Sequence, residues 1–183
     1  MKKENTALYI LRLTVTLLLI CGVVAAVLAG VNAITKDKIA AIKAQKTLDA
    51  LAEVLPGVEG LEKMELTGDT GMVRTIYRSG ESYAVEVTPS GFAGEITMMV
   101  GITDGKVQGI SIISHGETPS LGAEAAAKNS KGEAFRNQFA GLSGVLAVDK
   151  DGGEVDALTS ATSTSRAVVE GVNAALEFVK NLG

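Results

Sequence analysis

The feature that most constrains this chain is an uncharged apolar segment near its N-terminus. Between Arg12 and Lys36, the 23 residues from Leu13 to Thr35 carry no charged side chain. As a helix the segment would measure roughly 34 Å at about 1.5 Å per residue, which is enough to cross the hydrocarbon core of a bilayer. The sequence therefore predicts a transmembrane helix over residues 13–35.

A short tail precedes this segment and a much longer part of the chain follows it. Basic residues flank both ends, so the positive-inside rule alone does not choose an orientation. We expect residues 1–12 to form a cytoplasmic tail, because a short tail inside and a large domain outside is the simpler arrangement. The expected location is the cell (inner or cytoplasmic) membrane, with one span and an extracytoplasmic soluble domain. A cleaved signal peptide is the alternative, but the apolar run exceeds the usual signal-peptide core.

Composition excludes several functional classes. The chain has a formal net charge of −4 and no basic patch, which argues against a nucleic-acid partner. It has one Cys and one His, so an internal disulfide cannot form and a Cys/His zinc site is not expected. No metal site and no catalytic residue is therefore predicted, and any redox chemistry must come from a bound organic cofactor.

Beyond the membrane segment, the pattern changes to a helix, then strands, then helices. An apolar stripe predicts a connecting helix over residues 36–57, ended by Pro56-Gly57. Residues 58–183 are predicted to form one domain with antiparallel strands and flanking helices. The fold class is α+β, because the strands and helices follow one another without regular alternation.

Two hairpins are predicted within that domain. Asp104-Gly105 is a strong turn signal between alternating segments at 95–103 and 106–114. A second hairpin joins 72–78 to 83–88 through residues 79–81. The other predicted elements are short helices at 121–127 and 132–139, a strand at 145–148 and a last helix at 163–182.

A dense run of hydroxyl side chains precedes the last predicted helix. Six of the seven residues from Thr159 to Ser165 are Ser or Thr. Such hydroxyls cap a helix by accepting hydrogen bonds from its first N–H groups, and the same N–H groups attract phosphate. The run is therefore a helix cap, a phosphate site, or a place where one hydroxyl carries a phosphoester. The residues alone do not choose among Thr159, Ser160, Thr162, Ser163, Thr164 and Ser165.

A second candidate segment directly follows a predicted strand. His115-Gly116-Glu117-Thr118-Pro119-Ser120-Leu121-Gly122 holds the chain's one histidine, an acid and two glycines, a composition common in functional loops. The plain alternative is a surface turn with a solvated histidine. A serine-hydrolase elbow, a P-loop and a dinucleotide-binding glycine motif are all absent from the sequence.

Together the two segments resemble the two signatures of the FMN-binding domain family. Asp156-Ala157-Leu158-Thr159-Ser160-Ala161-Thr162 resembles its flavinylation motif, and the His115–Gly122 segment resembles its second signature. With the N-terminal span, the chain is similar to the G subunit of Rnf electron-transport complexes, and the C subunit of sodium-pumping NADH:quinone reductases is the close relative. Ser120 and Ser160 depart from the pattern, which usually has Gly at both positions.

The resemblance implies a covalent FMN on Thr162, joined through a phosphoester to the flavin phosphate. An ApbE-type flavin transferase would install it from FAD with magnesium, recognising Asp156 and Ala161 among other residues. Thr159 and Ser160 would lie beside the attachment point. The loop residues His115, Glu117, Thr118, Leu121 and Gly122 are expected to contact the flavin.

The implied function is electron transfer within a membrane complex. With its membrane and soluble partner subunits, the chain would serve an ion-translocating ferredoxin:NAD⁺ oxidoreductase, without a complete active site of its own. A subunit of the NADH:quinone reductase type is one alternative. A flavin-free, membrane-anchored binding module is the other, with the hydroxyl run acting only as a helix cap.

Overall fold

A single long helix opens the part of the chain that the structure describes. The computed structural model describes residues 6–66, 68 and 70–182. Helix α1 covers Thr6–Val54 without a break, so the predicted span and connecting helix are parts of one element, and residues 1–5 of the predicted tail lie outside the described residues. By length and composition, α1 is the one described helix able to cross a membrane. Its large apolar side chains from Leu8 to Ile34 are all more than half exposed, as a lipid-facing helix requires.

Five antiparallel strands form one sheet in which sequence neighbours are also spatial neighbours. This order needs only short connections, and the strands pair without a crossover. The strands are β1 (Glu62–Met64), β2 (Val73–Ser79), β3 (Ser82–Val87), β4 (Thr97–Thr103) and β5 (Lys106–Ser114).

Both predicted hairpins are confirmed. The turn between β4 and β5 has positive φ at Asp104 (52°) and at Gly105 (70°), the combination that a two-residue hairpin turn requires. The β2–β3 hairpin turns at Gly80-Glu81, and its flanking serines Ser79 and Ser82 are register partners. Strand β1 was not predicted from the sequence, since three residues carry too short a pattern.

The sheet has a hydrophobic layer on each face, which explains why the inner strand β4 is buried at every position except its two ends. Helix α3 (Thr162–Lys180) packs on one face and contributes Val168, Val172 and Ala175 to the larger core. The last turns of α1, together with Leu55 directly after it, supply the second layer on the other face. This layer consists of Ala50, Leu51, Val54 and Leu55 against Ala84, Met99 and Ile113.

A pair of glycines lets the end of α1 approach the sheet closely. Gly101 on β4 and Gly109 on β5 are register partners. A methyl group on Gly101 would overlap the backbone of Val54, whereas one on Gly109 would meet it at an ordinary distance of 3.6 Å. The contact between helix and sheet therefore depends on Gly101 much more than on Gly109.

The region between β5 and α3 differs from the sequence prediction. The predicted strand at 145–148 is wrong, because only Val148 forms a ladder contact, a single parallel bridge to Val155. The predicted helix at 121–127 is a short 3-10 helix over Gly122–Ala126. Helix α2 covers Ser130–Asn137, close to the predicted 132–139, and Asn129 caps it by accepting from the Gly132 N–H.

Candidate functional site

The two candidate segments meet in one cleft of about 360 Å³. Thr118 and its neighbours come from the loop after β5, and Thr162 comes from the start of α3, 44 positions further along the chain. A third segment contributes Phe92, which sequence reasoning did not select. The lining residues are Phe92, Glu117, Thr118, Leu121, Gly122, Ser160, Ala161, Thr162, Ser163 and Thr164.

Helix α3 begins at this cleft without a side-chain cap. Thr162 is its first residue and is half-buried, and Ala161 occupies the N-cap position. No described side chain caps the helix, so the helix-cap role predicted as one alternative for the hydroxyl run is wrong. The Ser165 hydroxyl instead accepts from the Leu158 N–H at 3.0 Å and donates to the Ala161 carbonyl at 3.1 Å. The first N–H groups of α3 are left for an external acceptor.

Two serines near the cleft adopt the left-handed backbone conformation. The φ angles are 61° at Ser120 and 63° at Ser160. These are the positions where the resembled pattern usually has Gly, the residue that adopts this conformation without steric cost. Both serines thus adopt a backbone conformation that glycine favours, although the chain has no glycine at either position.

Glu117 is a buried carboxylate that joins three segments. Its exposed fraction is 6%. The Thr164 hydroxyl of α3 donates to Oε2 at 2.7 Å, and the Ala93 backbone N–H donates to Oε1 at 3.1 Å. Gly91 and Gly122 leave the space that the carboxylate fills, since a side chain at either position would overlap its oxygens. Glu117 therefore holds the cleft together as well as lining it.

His115 does not line this cleft. It faces a separate cavity of about 350 Å³, whose lining includes Lys46, Glu53, Ser111 and Arg136. Its Nδ1 accepts a hydrogen bond from the Glu117 N–H at 3.3 Å. The structure thus separates His115 from the other four predicted loop residues, which all line the cleft around Thr162.

Asp156 and Thr159 are exposed and lie outside the lining of the cleft. The backbone before Thr159 is held by side chains from other elements. The Asp156 N–H donates to Gln138 at 2.7 Å, and the Ala157 N–H donates to Asp149 Oδ1 at 3.0 Å. The pKa of Asp149 is lowered, first by its hydrogen bond with Lys150 and then by the one from Ala157. The backbone at Asp156 and Ala157 is thus held by these hydrogen bonds, and the Asp156 side chain faces solvent.

Two protein-family models match the chain. The model described as an FMN-binding domain matches residues 91–177, which contain all three segments of the cleft. The model described as the RnfG N-terminal region matches residues 1–54, which coincide with the end of α1 at Val54. The two matches together cover the apolar helix and every residue that lines the cleft.

Curated relatives resemble the chain over nearly its whole length. The G subunit of the Na⁺-translocating ferredoxin:NAD⁺ oxidoreductase complex of Acetobacterium woodii is 33% identical, over 94% of this chain and 93% of the relative. The G subunit of the proton-translocating ferredoxin:NAD⁺ oxidoreductase complex of Clostridium ljungdahlii is 30% identical, over 98% of this chain and 96% of the relative. Among solved structures, the C subunit of the Na⁺-translocating NADH-quinone reductase of Parabacteroides distasonis is 23% identical, covers 58% of this chain and 61% of that chain, and has a TM-score of 0.44.

Proposed function

The chain belongs to the family of the G subunit of Rnf-type ion-translocating oxidoreductase complexes, and from this premise we propose that it is an electron-transfer subunit with FMN attached covalently to Thr162. One observation carries the proposal. The structure brings the two segments that resemble flavin-binding signatures into one cleft, with Thr162 in its lining. Bound FMN would supply the electron-transfer chemistry, and the protein would hold and orient it.

The residues of the cleft fit a flavin phosphate. A phosphoester on the Thr162 hydroxyl would place negative charge at the start of α3, where no described side chain occupies the first N–H groups. Those N–H groups and the positive end of the helix dipole stabilise such a charge. The left-handed backbone at Ser160 turns the chain into the helix immediately before this point.

The remaining lining residues fit the flavin ring. A cleft of about 360 Å³ lies within the range of small-molecule sites, which combine an apolar lining with a few polar groups. Leu121 offers an exposed apolar side chain, and the Thr118 hydroxyl offers a donor or acceptor. Gly122 has no side chain to compete with the Glu117 carboxylate and the Thr164 hydroxyl, which lie directly beside it. In this proposal His115 does not contact the flavin. It accepts a hydrogen bond from the Glu117 N–H and so helps to position Glu117.

Attachment of the flavin would need a separate enzyme. In the proposed reaction, the Thr162 hydroxyl oxygen forms the new phosphoester bond with the FMN phosphoryl group of FAD. The pyrophosphate bond of FAD breaks, AMP leaves, and the hydroxyl proton is lost. An ApbE-type flavin transferase with magnesium would catalyse this step, and the exposed side chain of Asp156 is available for that enzyme to recognise.

The membrane arrangement follows from the family and the apolar helix. The chain is membrane-anchored, since relatives of the whole chain are subunits of ion-translocating complexes and α1 is long and apolar enough to span a bilayer. We assign the span to residues 13–35, the tail to 1–12, the connecting segment to 36–57, which is helical up to Val54, and the FMN-binding domain to 58–183. The soluble domain would lie on the extracytoplasmic side, where a covalent bond prevents loss of the flavin.

Within the assembled complex, the chain would relay electrons between cofactors of neighbouring subunits during ferredoxin:NAD⁺ oxidoreduction coupled to ion translocation. Two relatives that cover more than nine-tenths of the chain are named for this reaction, which favours it over NADH:quinone reduction. An assay of the assembled complex with reduced ferredoxin and with NADH as electron donors distinguishes the two, since they require different donors.

Intact-mass measurement tests the covalent flavin directly. The full chain is produced with an active ApbE-type transferase, beside the variants Thr162→Ala and Ser163→Ala. We expect one added FMN in the wild type and in Ser163→Ala, and none in Thr162→Ala. Ser163 is the matched control because it is the neighbouring exposed hydroxyl residue of the same run but lies outside the Asp156–Thr162 segment.

Two other outcomes of the intact-mass measurement would change the assignment of the flavin. An FMN that persists in Thr162→Ala would move the attachment to a neighbouring hydroxyl. No added mass in the wild type, with a transferase shown to be active on another substrate, would leave the flavin-free membrane module as the better interpretation.

A further inference from the structure

Phe92 is an exposed aromatic side chain at the rim of the Thr162 cleft. Its exposed fraction is 75%. Among the described residues after α1, it is one of four exposed large apolar side chains, the others being Leu121, Val145 and Leu182. Phe92 and Leu121 line the same cleft. Two exposed apolar side chains on one small cleft indicate a surface that a ligand covers.

The loop that carries Phe92 is held in a defined conformation. The Gly91 N–H donates to the Gly94 carbonyl at 2.8 Å, and Ser90 and Glu95 form an isolated antiparallel bridge on either side of it. Just beyond this turn, the Ile96 N–H donates to the Pro89 carbonyl at 2.9 Å. The loop is therefore a closed turn, and it fixes the backbone position from which the Phe92 side chain extends.

The carboxylate of Glu117 connects this turn to α3. One of its oxygens accepts from the Ala93 N–H, directly after Phe92, and the other accepts from the Thr164 hydroxyl, two residues after Thr162. Burying a carboxylate is costly unless its oxygens are hydrogen-bonded, so this arrangement requires both partners to stay in place. Glu117 thereby fixes the position of Phe92 relative to the start of α3.

We propose that Phe92 contacts a face of the isoalloxazine ring of FMN carried on Thr162, and that Glu117 is the positioning residue that holds Phe92 in contact. This inference rests on the proposed function. Aromatic rings prefer offset-stacked or edge-to-face contact with a neighbouring ring, and burying the exposed Phe92 ring against the flavin removes apolar surface from water. Leu121 lies in the lining of the same cleft as a second apolar contact.

A fluorescence measurement tests the contact with Phe92. The chain has no Trp, so Phe92→Trp introduces one indole. An indole in contact with a flavin ring donates an electron to the excited flavin and quenches its fluorescence. On full-length protein shown by intact mass to carry one FMN, we expect Phe92→Trp to lose most of the flavin emission of the wild type. Val145→Trp is the matched control, because Val145 is 94% exposed and lines a different cavity.

The role of Glu117 is tested in the Phe92→Trp background. Adding Glu117→Ala removes the link between the Ala93 N–H and Thr164, so the flavin emission should recover. Adding Glu117→Gln should keep the emission low, because an amide retains an oxygen for the Ala93 N–H and an NH₂ group that can bond Thr164.

Each remaining result overturns a specific part of the proposal. Equal emission from Phe92→Trp and Val145→Trp, both carrying FMN, would refute the contact with Phe92. Quenching that persists with Glu117→Ala would refute the positioning role alone. Absence of FMN from the wild type would refute the proposed function, and this inference with it, before any emission is compared.

Discussion

Replacing Gly101 by Ala should destabilise the domain strongly, because the new methyl group would collide with backbone atoms. It would lie 2.9 Å from both the carbonyl carbon and the Cβ of Val54, and closer still to the Val54 carbonyl oxygen. Backbone atoms cannot rotate away, so the end of α1 must move off the sheet and loosen the layer that includes Leu51 and Met99.

The size of the effect follows from two opposing terms. Overpacking of this kind costs about 1–3 kcal/mol. Replacing Gly by Ala within a strand returns about 0.5–1 kcal/mol. Because the collision is with backbone atoms, the cost should lie in the upper part of the first range, about 2–3 kcal/mol. For Gly101→Ala we therefore expect a net loss of about 1–2.5 kcal/mol, which corresponds to a Tm lower by roughly 3–10 °C for a domain of this size.

Gly109→Ala provides the matched control. Gly109 pairs with Gly101 in the ladder, but a methyl group there would meet Val54 at 3.6 Å, an ordinary contact. Its Tm should equal that of the wild type or exceed it slightly. Scanning calorimetry of the full chain in detergent measures both variants. Equal Tm values for the two variants would refute the close approach of Val54 to β4.

Two further predictions concern the surroundings of Thr162. Ser160→Gly should raise the free energy of unfolding by about 0.5–1 kcal/mol, because relief of the left-handed strain exceeds the cost of the greater chain entropy of the unfolded state. Ser163→Gly, within α3, should lower the free energy of unfolding by a similar amount. Chemical denaturation measures both variants. A loss of stability in Ser160→Gly would contradict the left-handed backbone at that position. Because the pKa of Asp149 is lowered on folding, the stability that it contributes is present above its unfolded pKa of about 3.9 and is lost as the pH falls through the lower folded value. Asp149→Asn should therefore show a smaller decline in Tm between about pH 5 and pH 2 than the wild type, and an unchanged decline would exclude Asp149 as a source of acid sensitivity.

Local patterns in the sequence were sufficient for the hairpins. Strand β5 was predicted with its observed bounds, and Asp104-Gly105 adopts the two positive φ angles that its residue types favour. The strand predicted at 145–148 shows the limit of such local patterns. Its apolar residues alternate between exposed and buried positions, with Val145 exposed and Leu146 buried, but only Val148 forms a bridge to another segment. A strand needs a neighbouring chain, and its own sequence does not reveal whether one is available.

The site was predictable only in part. Resemblance to a known family, and not spacing, linked Thr162 to the loop after β5, because residues so far apart in sequence give no local signal of contact. Phe92 was missed because a lone aromatic residue in a glycine-rich turn has no periodicity. His115 was expected at the flavin because it belongs to the loop that directly follows a strand, yet its side chain and that of Glu117 line different cavities.

The choice of residue at the start of α3 is the strongest local argument that this helix end serves a function. Ser and Thr are preferred at the N-cap, and Ala there costs about 1 kcal/mol by comparison. The chain places hydroxyl residues on both sides of this position, at Ser160 and Thr162, but Ala161 at the cap itself. A capping hydroxyl would occupy the same N–H groups that a phosphate on Thr162 would need. A local choice that sacrifices stability in this way is typical of a functional site, and here it leaves the helix end available to the phosphate of the FMN that we propose on Thr162.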